Sequence, residues 1–257
     1  MGFIEGQCNP ERNNKMKFLL KCLDEEKSVK RCISDFHDLP WVEDIIVIDG
    51  GSTDYTVLEL NQFSKVRTYI HPWLDWYHNM ECSQSNIGLS YIPNGEWFFI
   101  LDFDERMSDD LKQFLSNFKP ETTDCDLLSV ARRTFEPMRY PDTPHAVIDD
   151  DGWPIKSHQI GQFPDFQPRL IKKSPYLTWI NSPHHQLSGH LKQGFLLEQL
   201  HIIHYEKDDY RDRIRIEKKW LRNKLRRQEL GLTADVFECQ TKPEVQIFDN
   251  PEYWRYK

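Results

Sequence analysis

The sequence predicts an α/β fold in which an open, mostly parallel sheet is flanked by helices. Over the first 120 residues, short apolar segments alternate with segments that carry apolar residues at helical spacing, in the order βαβαβαβα. Two acidic stretches, IDGGSTD and LDFDE, each directly continue an apolar strand. Ligands bind such sheets at the carboxyl ends of the strands, so both observations favour this class.

The first four strands and the helices between them are predicted from local patterns. Strands are expected at 16–23, 45–49, 66–70 and 96–104. Helices are expected at 24–39, 55–63, 79–92 and 108–118. The fourth strand is apolar for most of its length, as parallel strands covered on both faces are. The fourth helix has Ser108 as its N-cap and two acids in its first turn, which favour a helix start.

The pattern changes after about residue 120. Segments 125–135, 168–173 and 194–205 are predicted strands, antiparallel or mixed, whereas 137–168 is rich in Pro, Gly, Asp and His and is expected to form long loops. We therefore expect a smaller mixed region after the parallel half. The predicted organisation is an N-terminal extension (1–15), one domain (16–207, with halves 16–120 and 121–207) and a charged helix with a tail (208–257).

Amino-acid composition and net charge argue against some classes of protein. Of the 257 residues, 39% are hydrophobic and 13% aromatic, enough to build a core and to argue against a disordered chain. The formal net charge is -8, which argues against a nucleic-acid partner. An anionic small ligand remains compatible with that charge, because a bound metal ion inverts the local potential.

The sequence also predicts no membrane span and a cytoplasmic location. The longest fully apolar run, Trp97 to Leu101, is far shorter than the roughly 20 residues that a spanning helix needs. The first residues lack the pattern of a secretory signal. The six cysteines are scattered without a CxxC pair, which is typical of a reducing compartment.

Several motifs resemble those of the family-two glycosyltransferases, which are nucleotide-sugar enzymes with the GT-A fold. CLDEEKSVKRCISDFHDLPWVEDIIVIDGGSTDYT, residues 22–56, is similar to the family's opening, with Asp24 where Asn is usual. NGEWFFILDFDERM, residues 94–107, resembles its Asp-x-Asp-Glu segment. FPDFQPRLIKKSPYLTWINSPHHQLSGH, residues 163–190, resembles the downstream part of one branch. The likeness extends from about residue 17 to 205, with the motifs in the family's order.

The resemblance implies transfer of a sugar from a nucleotide-diphosphate sugar, preferably a UDP-sugar, with inversion at the anomeric carbon. The acceptor would be a hydroxyl of an unidentified glycan, lipid or protein. Carboxylates would hold Mn²⁺ or Mg²⁺, which neutralises the diphosphate and acts as a Lewis acid on the leaving group. The family pattern makes Asp104 a metal ligand and places Asp102 against ribose or the metal shell. It makes His185 the third ligand, with His184 as its rival.

The same resemblance implies that residues 16–120 bind the nucleotide and that 121–207 face the acceptor. Asp49 is expected to face the base, and Asp54 to hold the nucleotide or cap the next helix. The expected nucleotide contacts are Asp24, Glu26, Asp49, Gly51, Ser52, Asp54, Asn86 and Asp102. Ser85 stands where the family often has Arg beside Asn86, so a diphosphate contact from that helix is less expected.

An inverting transfer needs a base that removes the proton of the acceptor hydroxyl. The branch has Glu after the late histidine, but this chain has Gln186, which cannot act as a base. Asp165 and Glu105 remain as candidates, and Asp165 is preferred because Glu105 could instead orient the metal shell. Arg169 could contact the diphosphate, although an arginine within a strand is more often structural.

Other interpretations stay open. The acids could simply shape turns and cap helices, and His201 with His204 lacks the close third ligand of a zinc site. A nucleotidyltransferase or nucleotide-sugar hydrolase on a related fold is one alternative, although residues 22–32 lack a Gly-rich loop. A catalytically impaired nucleotide-sugar-binding protein is another, and Gln186 favours it.

Overall fold

The computed structural model of the chain describes residues 15–73, 80–137, 139–140, 143–180, 186–189 and 191–205. The helices are α1 (Glu26–Ser34), α2 (Thr56–Leu60), α3 (Met80–Ser90) and α4 (Asp109–Asn117), with a short 3₁₀ helix at Pro120–Thr122. The strands are β1 (Met16–Cys22), β2 (Val42–Asp49), β3 (Val66–Ile70), β4 (Trp97–Ile100), β5 (Glu105–Met107), β6 (Leu127–Pro137), β7 (Arg139–Tyr140), β8 (Thr143–Ala146), β9 (Ser157–Lys172), β10 (Thr178–Ile180), β11 (Gln186–Ser188), β12 (Gln193–Phe195) and β13 (His201–Tyr205).

A nine-stranded sheet organises the described residues, in the order β3-β2-β1-β4-β9-β6-β13-β5, with β12 also on β6. The first four strands in this order are mutually parallel, and β12 and β13 run parallel to β6. Antiparallel pairing joins β9 to β4 and β6, and β5 to β13. The prediction of a mostly parallel sheet with a smaller mixed region is therefore confirmed. Two further antiparallel pairs, β7–β8 and β10–β11, lie outside this sheet.

Apolar residues cover both faces of the parallel half. On one face α1 buries Val29, Cys32 and Ile33, and Phe36 beyond it stacks on Phe18 of β1 with ring centroids 4.4 Å apart. On the other face α3 packs closely enough that a Cβ at Gly88 would lie 2.4 Å from Cδ1 of Leu19. Because both faces are covered, the carboxyl edge of the strands is the place where polar side chains can gather.

The acceptor half differs from the sequence prediction. Residues 157–172, expected mainly as loop, form the single 16-residue strand β9. Pairing with β6 along most of its length, and with β4 at Leu170–Lys172, satisfies backbone groups of this strand even though its sequence lacks an apolar alternation. The segment 194–205, expected as one strand, is divided into β12 and β13. Strands β5, β10 and β11 have three residues each and were not predicted.

No helix in the described stretches of the chain is long and apolar enough to cross a bilayer. The predicted charged helix and tail, 208–257, and all but the last residue of the N-terminal extension lie outside the described residues. The division into domains therefore stays a prediction.

Candidate active site

The acidic motifs meet at one edge of the sheet. Asp49 ends β2, and Asp102 follows β4 by two residues. Both strands run parallel to β1, which lies between them, so their carboxyl ends are neighbours. The predicted clustering of the acidic stretches at this edge follows from the observed topology.

Hydrogen bonds join the turn after β1 to the turn after β2. The N–H of Asp24 donates to Oγ of Ser52 (2.8 Å), and Oδ1 of Asp24 accepts from the N–H of Thr53 (2.8 Å). Asp24 has φ of 55°, a left-handed conformation that these bonds hold in place. The N–H of Glu26 donates to Asp54 (3.2 Å). The two predicted nucleotide-binding turns are thus one connected unit.

Asp54 also bonds to the start of α2, because its Oδ1 accepts from the N–H of Thr56, the first residue of that helix, at 3.0 Å. The hydroxyl of Thr56 in turn accepts from the N–H of Glu25 at 2.6 Å, and Oε2 of Glu26 accepts from the N–H of Tyr55 at 3.2 Å. The structure therefore places Glu26 and Asp54 in the joint between the starts of α1 and α2. Their contact with a nucleotide stays a prediction.

Asp49 does not face an open pocket. Its side chain is fully buried and accepts from the N–H groups of Gly51 and Ser52 (2.9 Å each), the Ser52 hydroxyl and the Cys22 thiol (3.4 Å). A carboxylate has about four acceptor sites, so these bonds leave none toward a base. These bonds favour a role for the Asp49 carboxylate in shaping the Gly51–Ser52 turn, and its expected contact with the base stays a prediction.

A buried ion pair lies beneath the Asp-x-Asp-Glu motif. Glu105 is fully buried, and its Oε1 accepts from Nη2 of Arg169 at 2.6 Å. Its Oε2 accepts from the N–H of Asp102 at 3.0 Å. Nη1 of Arg169 also lies 3.4 Å from Oδ2 of Asp102. Arg169 therefore contacts both carboxylates, and the predicted diphosphate contact is not the role that its burial favours.

His204 of β13 lies beside the second aspartate of the motif. Its Nε2 is 3.6 Å from Oδ2 of Asp104, and its Nδ1 is 3.3 Å from the hydroxyl of Thr134. The N–H of Tyr205 donates to the carbonyl of Asp104 at 2.9 Å. Strand β13 thus holds both the backbone and the side chain of Asp104.

These neighbours determine the charges at the motif. Burial acts to raise the pKa of Asp102, but the positive charge of Arg169 outweighs it, and the pKa lies below its ordinary range. Burial raises the pKa of Glu105 to about 7, although Arg169 opposes that shift. Burial acts to lower the pKa of His204, yet its hydrogen bond and charge interaction with Asp104 prevail and raise it. The positive charge of Arg169 therefore stabilises ionised Asp102, whereas burial favours the protonated form of Glu105.

The two candidate bases have different access. Glu105 is fully buried and both its oxygens are bonded, which does not favour contact with an acceptor hydroxyl, and its expected role as a base stays a prediction. The Asp165 side chain is 36% exposed. It accepts from Nε and Nη2 of Arg132 (3.0 and 2.7 Å) and from Gln167 (2.8 Å). One of its acceptor sites has no bond to a described residue.

Asn86 contacts β10 instead of an open cleft. Its Oδ1 accepts from the N–H of Trp179 (2.7 Å) and the hydroxyl of Thr178 (3.2 Å), and its Nδ2 donates to the carbonyl of Trp179 (3.0 Å). The amide therefore completes the hydrogen bonding of an edge strand, and we infer a structural role where a nucleotide contact was expected.

Two of the three predicted metal ligands, Asp102 and Asp104, lie among the described residues. Among the described residues, no three His, Cys, Asp or Glu side chains converge as a complete metal site, and His185 lies outside them. The side chains of Asp102 and Asp104 are 45% and 19% exposed, and Oδ1 of Asp102 has no bond to a described residue. Mg²⁺ is commonly bound by one or two carboxylates together with substrate phosphates. Two accessible carboxylates therefore fit a cation that a diphosphate donor helps to hold.

The structure adds side-chain partners of the acidic residues that sequence reasoning did not assign. Arg132 and Arg169 lie on β6 and β9, 33 and 64 residues from their carboxylate partners, and no local pattern connects them. His204 was noted only as half of a zinc-like pair. Its alignment with Glu105 in the β13–β5 register brings it to the motif, and this register could not be predicted because β5 was not.

Comparisons with known proteins show what this chain is similar to. A search of curated proteins gave no match. Three solved structures illustrate the likeness. S. aureus TarS 1–349 is 18% identical, with 50% of this chain and 38% of that chain covered and a TM-score of 0.40. The mannosyltransferase PcManGT of Pyrobaculum calidifontis, in complex with GDP-Man and Mn²⁺, is 14% identical, with 48% and 37% covered and a TM-score of 0.38. HddC from Yersinia pseudotuberculosis is 15% identical, with 80% and 99% covered and a TM-score of 0.41.

These TM-scores lie below 0.5, so the three structures support no argument about activity, and this chain spans well under half of the first two. The family model for glycosyl transferase family 2 matches residues 18–187, a range that includes both acidic motifs and Arg169. Since that match covers well over half of the 257 residues, the chain belongs to glycosyl transferase family 2 and has the GT-A fold.

Proposed function

We propose that this protein transfers a sugar from a nucleotide-diphosphate sugar to an acceptor hydroxyl, with a divalent cation and inversion at the anomeric carbon. One observation carries the proposal: Asp102 and Asp104 lie partly exposed at the carboxyl edge of a family-two sheet, the edge at which the linked turns of Asp24 and Asp54 also lie. The preferred donor is a UDP-sugar, and the acceptor is a glycan, lipid or protein hydroxyl.

Asp102 and Asp104 would hold Mn²⁺ or Mg²⁺. When bound, the cation would offset the charge of the diphosphate and make it a better leaving group. His204, beside Asp104, would keep that carboxylate oriented, and His185 would supply a further ligand. The unit formed by the turns after β1 and β2 would position the nucleotide, with Ser52 and Thr53 fixed by Asp24.

Asp165 would take the proton from the acceptor hydroxyl. Its side chain is partly exposed, and Arg132 fixes its orientation through two hydrogen bonds to one oxygen. The other oxygen, which also accepts from Gln167, has the remaining acceptor site. That site is the position for the hydroxyl proton, since a general base must lie within hydrogen-bonding distance of the proton that it removes.

Donor binding can be tested without knowledge of the acceptor. UDP, GDP, CDP and their common sugar conjugates are added with and without Mn²⁺, and thermal unfolding is followed. We expect stabilisation by a nucleotide only when the cation is present, and slow hydrolysis of the matching nucleotide sugar on long incubation. Absence of stabilisation by every nucleotide in both conditions would contradict the proposal.

A second candidate is a nucleotide-sugar-binding protein with impaired catalysis. The observation that favours it is that both candidate bases are engaged by arginines, Glu105 by Arg169 and Asp165 by Arg132. This candidate predicts cation-dependent donor binding without hydrolysis or transfer to any acceptor in a broad panel. The transferase predicts turnover of the donor that binds, so the same nucleotide sugar distinguishes the two.

A further inference from the structure

Arg169 is a charged residue in the interior of the sheet. It belongs to β9, where the next residue, Leu170, pairs with Phe99 of β4 on one side and Leu128 of β6 on the other. Only 5% of Arg169 is exposed. A guanidinium at such a position is costly unless carboxylates and carbonyls compensate its charge, so its partners indicate why it is there.

Arg169 and its partner Glu105 both contact one residue of the motif, Asp102. Nη2 contacts Glu105 at 2.6 Å, while Nη1 lies 3.4 Å from both Oδ2 of Asp102 and the carbonyl of Ile100. Glu105 in turn accepts from the N–H of Asp102 through Oε2 and donates its own N–H to the carbonyl of Asp102, each at 3.0 Å. The backbone N–H, the carbonyl and the carboxylate of Asp102 are therefore all held by Glu105 or Arg169.

This arrangement suits arginine and not lysine. The planar guanidinium presents several N–H groups in a fixed fork, so that one side chain contacts Glu105, Asp102 and a backbone carbonyl together. A lysine at 169 would keep the positive charge but would present a single ammonium group. The geometry therefore fixes the direction in which the Asp102 carboxylate points, beyond neutralising its charge.

We propose that Arg169 is a positioning residue of the donor site: acting through Glu105, it fixes the turn of Asp102 and Asp104 and thereby determines the affinity for a cation and a nucleotide diphosphate. The inference rests on the proposed function, which assigns cation and donor binding to that turn. Partners that orient metal ligands typically contribute about 10–100-fold to metal affinity.

The competing explanation is that Arg169 and Glu105 serve only the stability of the sheet. A double variant distinguishes the positioning role from a role in stability alone. Exchange of a buried ion pair for apolar residues of similar size often preserves stability, whereas removal of one partner leaves an uncompensated buried charge. The variants are therefore Arg169→Met, Arg169→Lys and the double variant Arg169→Met/Glu105→Met. The control is Arg67→Met, which removes the arginine that pairs with Asp44 between β3 and β2.

Two quantities are measured for each variant: the urea midpoint of unfolding, and the affinity for UDP by calorimetry at one fixed Mn²⁺ concentration that does not saturate the variants. Arg169→Met should lower the midpoint, and the double variant should recover most of that loss. Both should bind UDP with Mn²⁺ at least about tenfold more weakly than the wild type, and Arg169→Lys should fold and lose about tenfold. Arg67→Met should bind as the wild type does.

Each contrary result has a distinct meaning. A double variant that regains stability and also binds like the wild type would overturn the positioning role and leave the proposed function intact. If the double variant does not fold, wild-type affinity in Arg169→Lys would overturn it equally. Wild-type protein that binds no nucleotide with Mn²⁺ would contradict the proposed function itself, and the inference with it.

Discussion

Arg132 of β6 and Asp165 of β9 lie directly opposite each other in the sheet, and two hydrogen bonds from the guanidinium reach the same carboxylate oxygen, Oδ2. The pair fixes the orientation of a carboxylate that is 36% exposed, while Oδ1 keeps one site without a bond to a described residue. An arginine that orients one oxygen of a partly exposed carboxylate fits the requirement that a general base be held in position.

The first prediction concerns this carboxylate. Asp165→Asn keeps the size of the side chain and an acceptor for Arg132, but the amide cannot take a proton. We expect donor binding within about twofold of the wild type and a fall in kcat of about 100-fold or more, the usual contribution of a general base. Nucleotide affinity is measured by calorimetry and transfer or donor hydrolysis by release of the nucleoside diphosphate.

Gln167→Ala is the matched control, since it removes the other partner of Asp165 without changing the carboxylate. It should lower kcat far less than Asp165→Asn does. Normal turnover by Asp165→Asn would exclude the assignment. Because Glu105 is sealed from solvent, that result would direct the search to residues outside the described ranges.

The second prediction concerns the cation. Asp104→Asn removes one charge from the motif and keeps an oxygen toward His204. A ligand at 100 times its Kd stabilises by about 2.7 kcal/mol, which corresponds to about 5–10 °C in Tm for a domain of this size. We expect wild-type protein to gain this shift with UDP and Mn²⁺, and Asp104→Asn to lose it while its Tm without ligand changes little.

Asp109→Asn is the control, because Asp109 is a fully exposed acid in the first turn of α4, five residues along the chain. It should keep the full shift in Tm. A shift of wild-type size in Asp104→Asn would place the cation elsewhere.

Sequence reasoning was sufficient for the parallel half because the signal there is local. Strand β1 has the apolar run Phe18–Leu20 and β2 has the run Ile45–Ile48, and the prediction of 66–70 coincides with β3. The position of Ser108 as the N-cap of α4 is confirmed by its bond from the N–H of Leu111 at 3.3 Å. Each of these features depends on residues within a few positions of one another.

The rest could not be predicted because it depends on pairing between distant segments. Polar residues such as Asp165 and Gln167 interrupt any apolar pattern in strand β9, so its sequence does not predict a strand. Pairing with two neighbouring strands stabilises it instead. The burial of Glu105 follows from Arg169, which is 64 residues away. Asp49 lies at the end of a strand, where a ligand contact is expected. Only the structure shows that four groups of the chain already donate hydrogen bonds to its carboxylate.

The third prediction tests the structural role of Asp49. Asp49→Asn keeps one oxygen for the N–H groups of Gly51 and Ser52 but turns an amide N–H toward the Ser52 hydroxyl and the Cys22 thiol, so these buried donors lose their acceptor. We expect the free energy of unfolding to fall by about 2–4 kcal/mol. Among the molecules that remain folded, nucleotide affinity should be close to that of the wild type. Denaturant unfolding and calorimetry measure the two quantities.

Asp150→Asn, in an exposed turn, should change stability by less than about 0.5 kcal/mol and serves as the control. If Asp49→Asn kept wild-type stability and lost binding of uridine nucleotides alone, a direct contact of Asp49 with the base would be restored as the better interpretation.

The fourth prediction concerns Lys17, whose ammonium lies 3.1 Å from Glu43 and 2.6 Å from Glu96. Burial acts to lower its pKa, but the bonds and charges of both carboxylates prevail and raise it above the ordinary value of 10.5. Protonation is thus favoured by folding, so the stabilisation is complete below about pH 10.5 and is lost as the pH rises through the higher folded pKa. Urea unfolding from pH 8 to 11 should show Lys17→Met less stable by about 1 kcal/mol at pH 8, with a difference that shrinks beyond pH 10.5. Lys15→Met, at an exposed neighbouring position, should show neither effect. If the loss of stability in Lys17→Met stays constant up to pH 11, packing of the lysine stem, and not its charge, stabilises the junction of β1 with its neighbours.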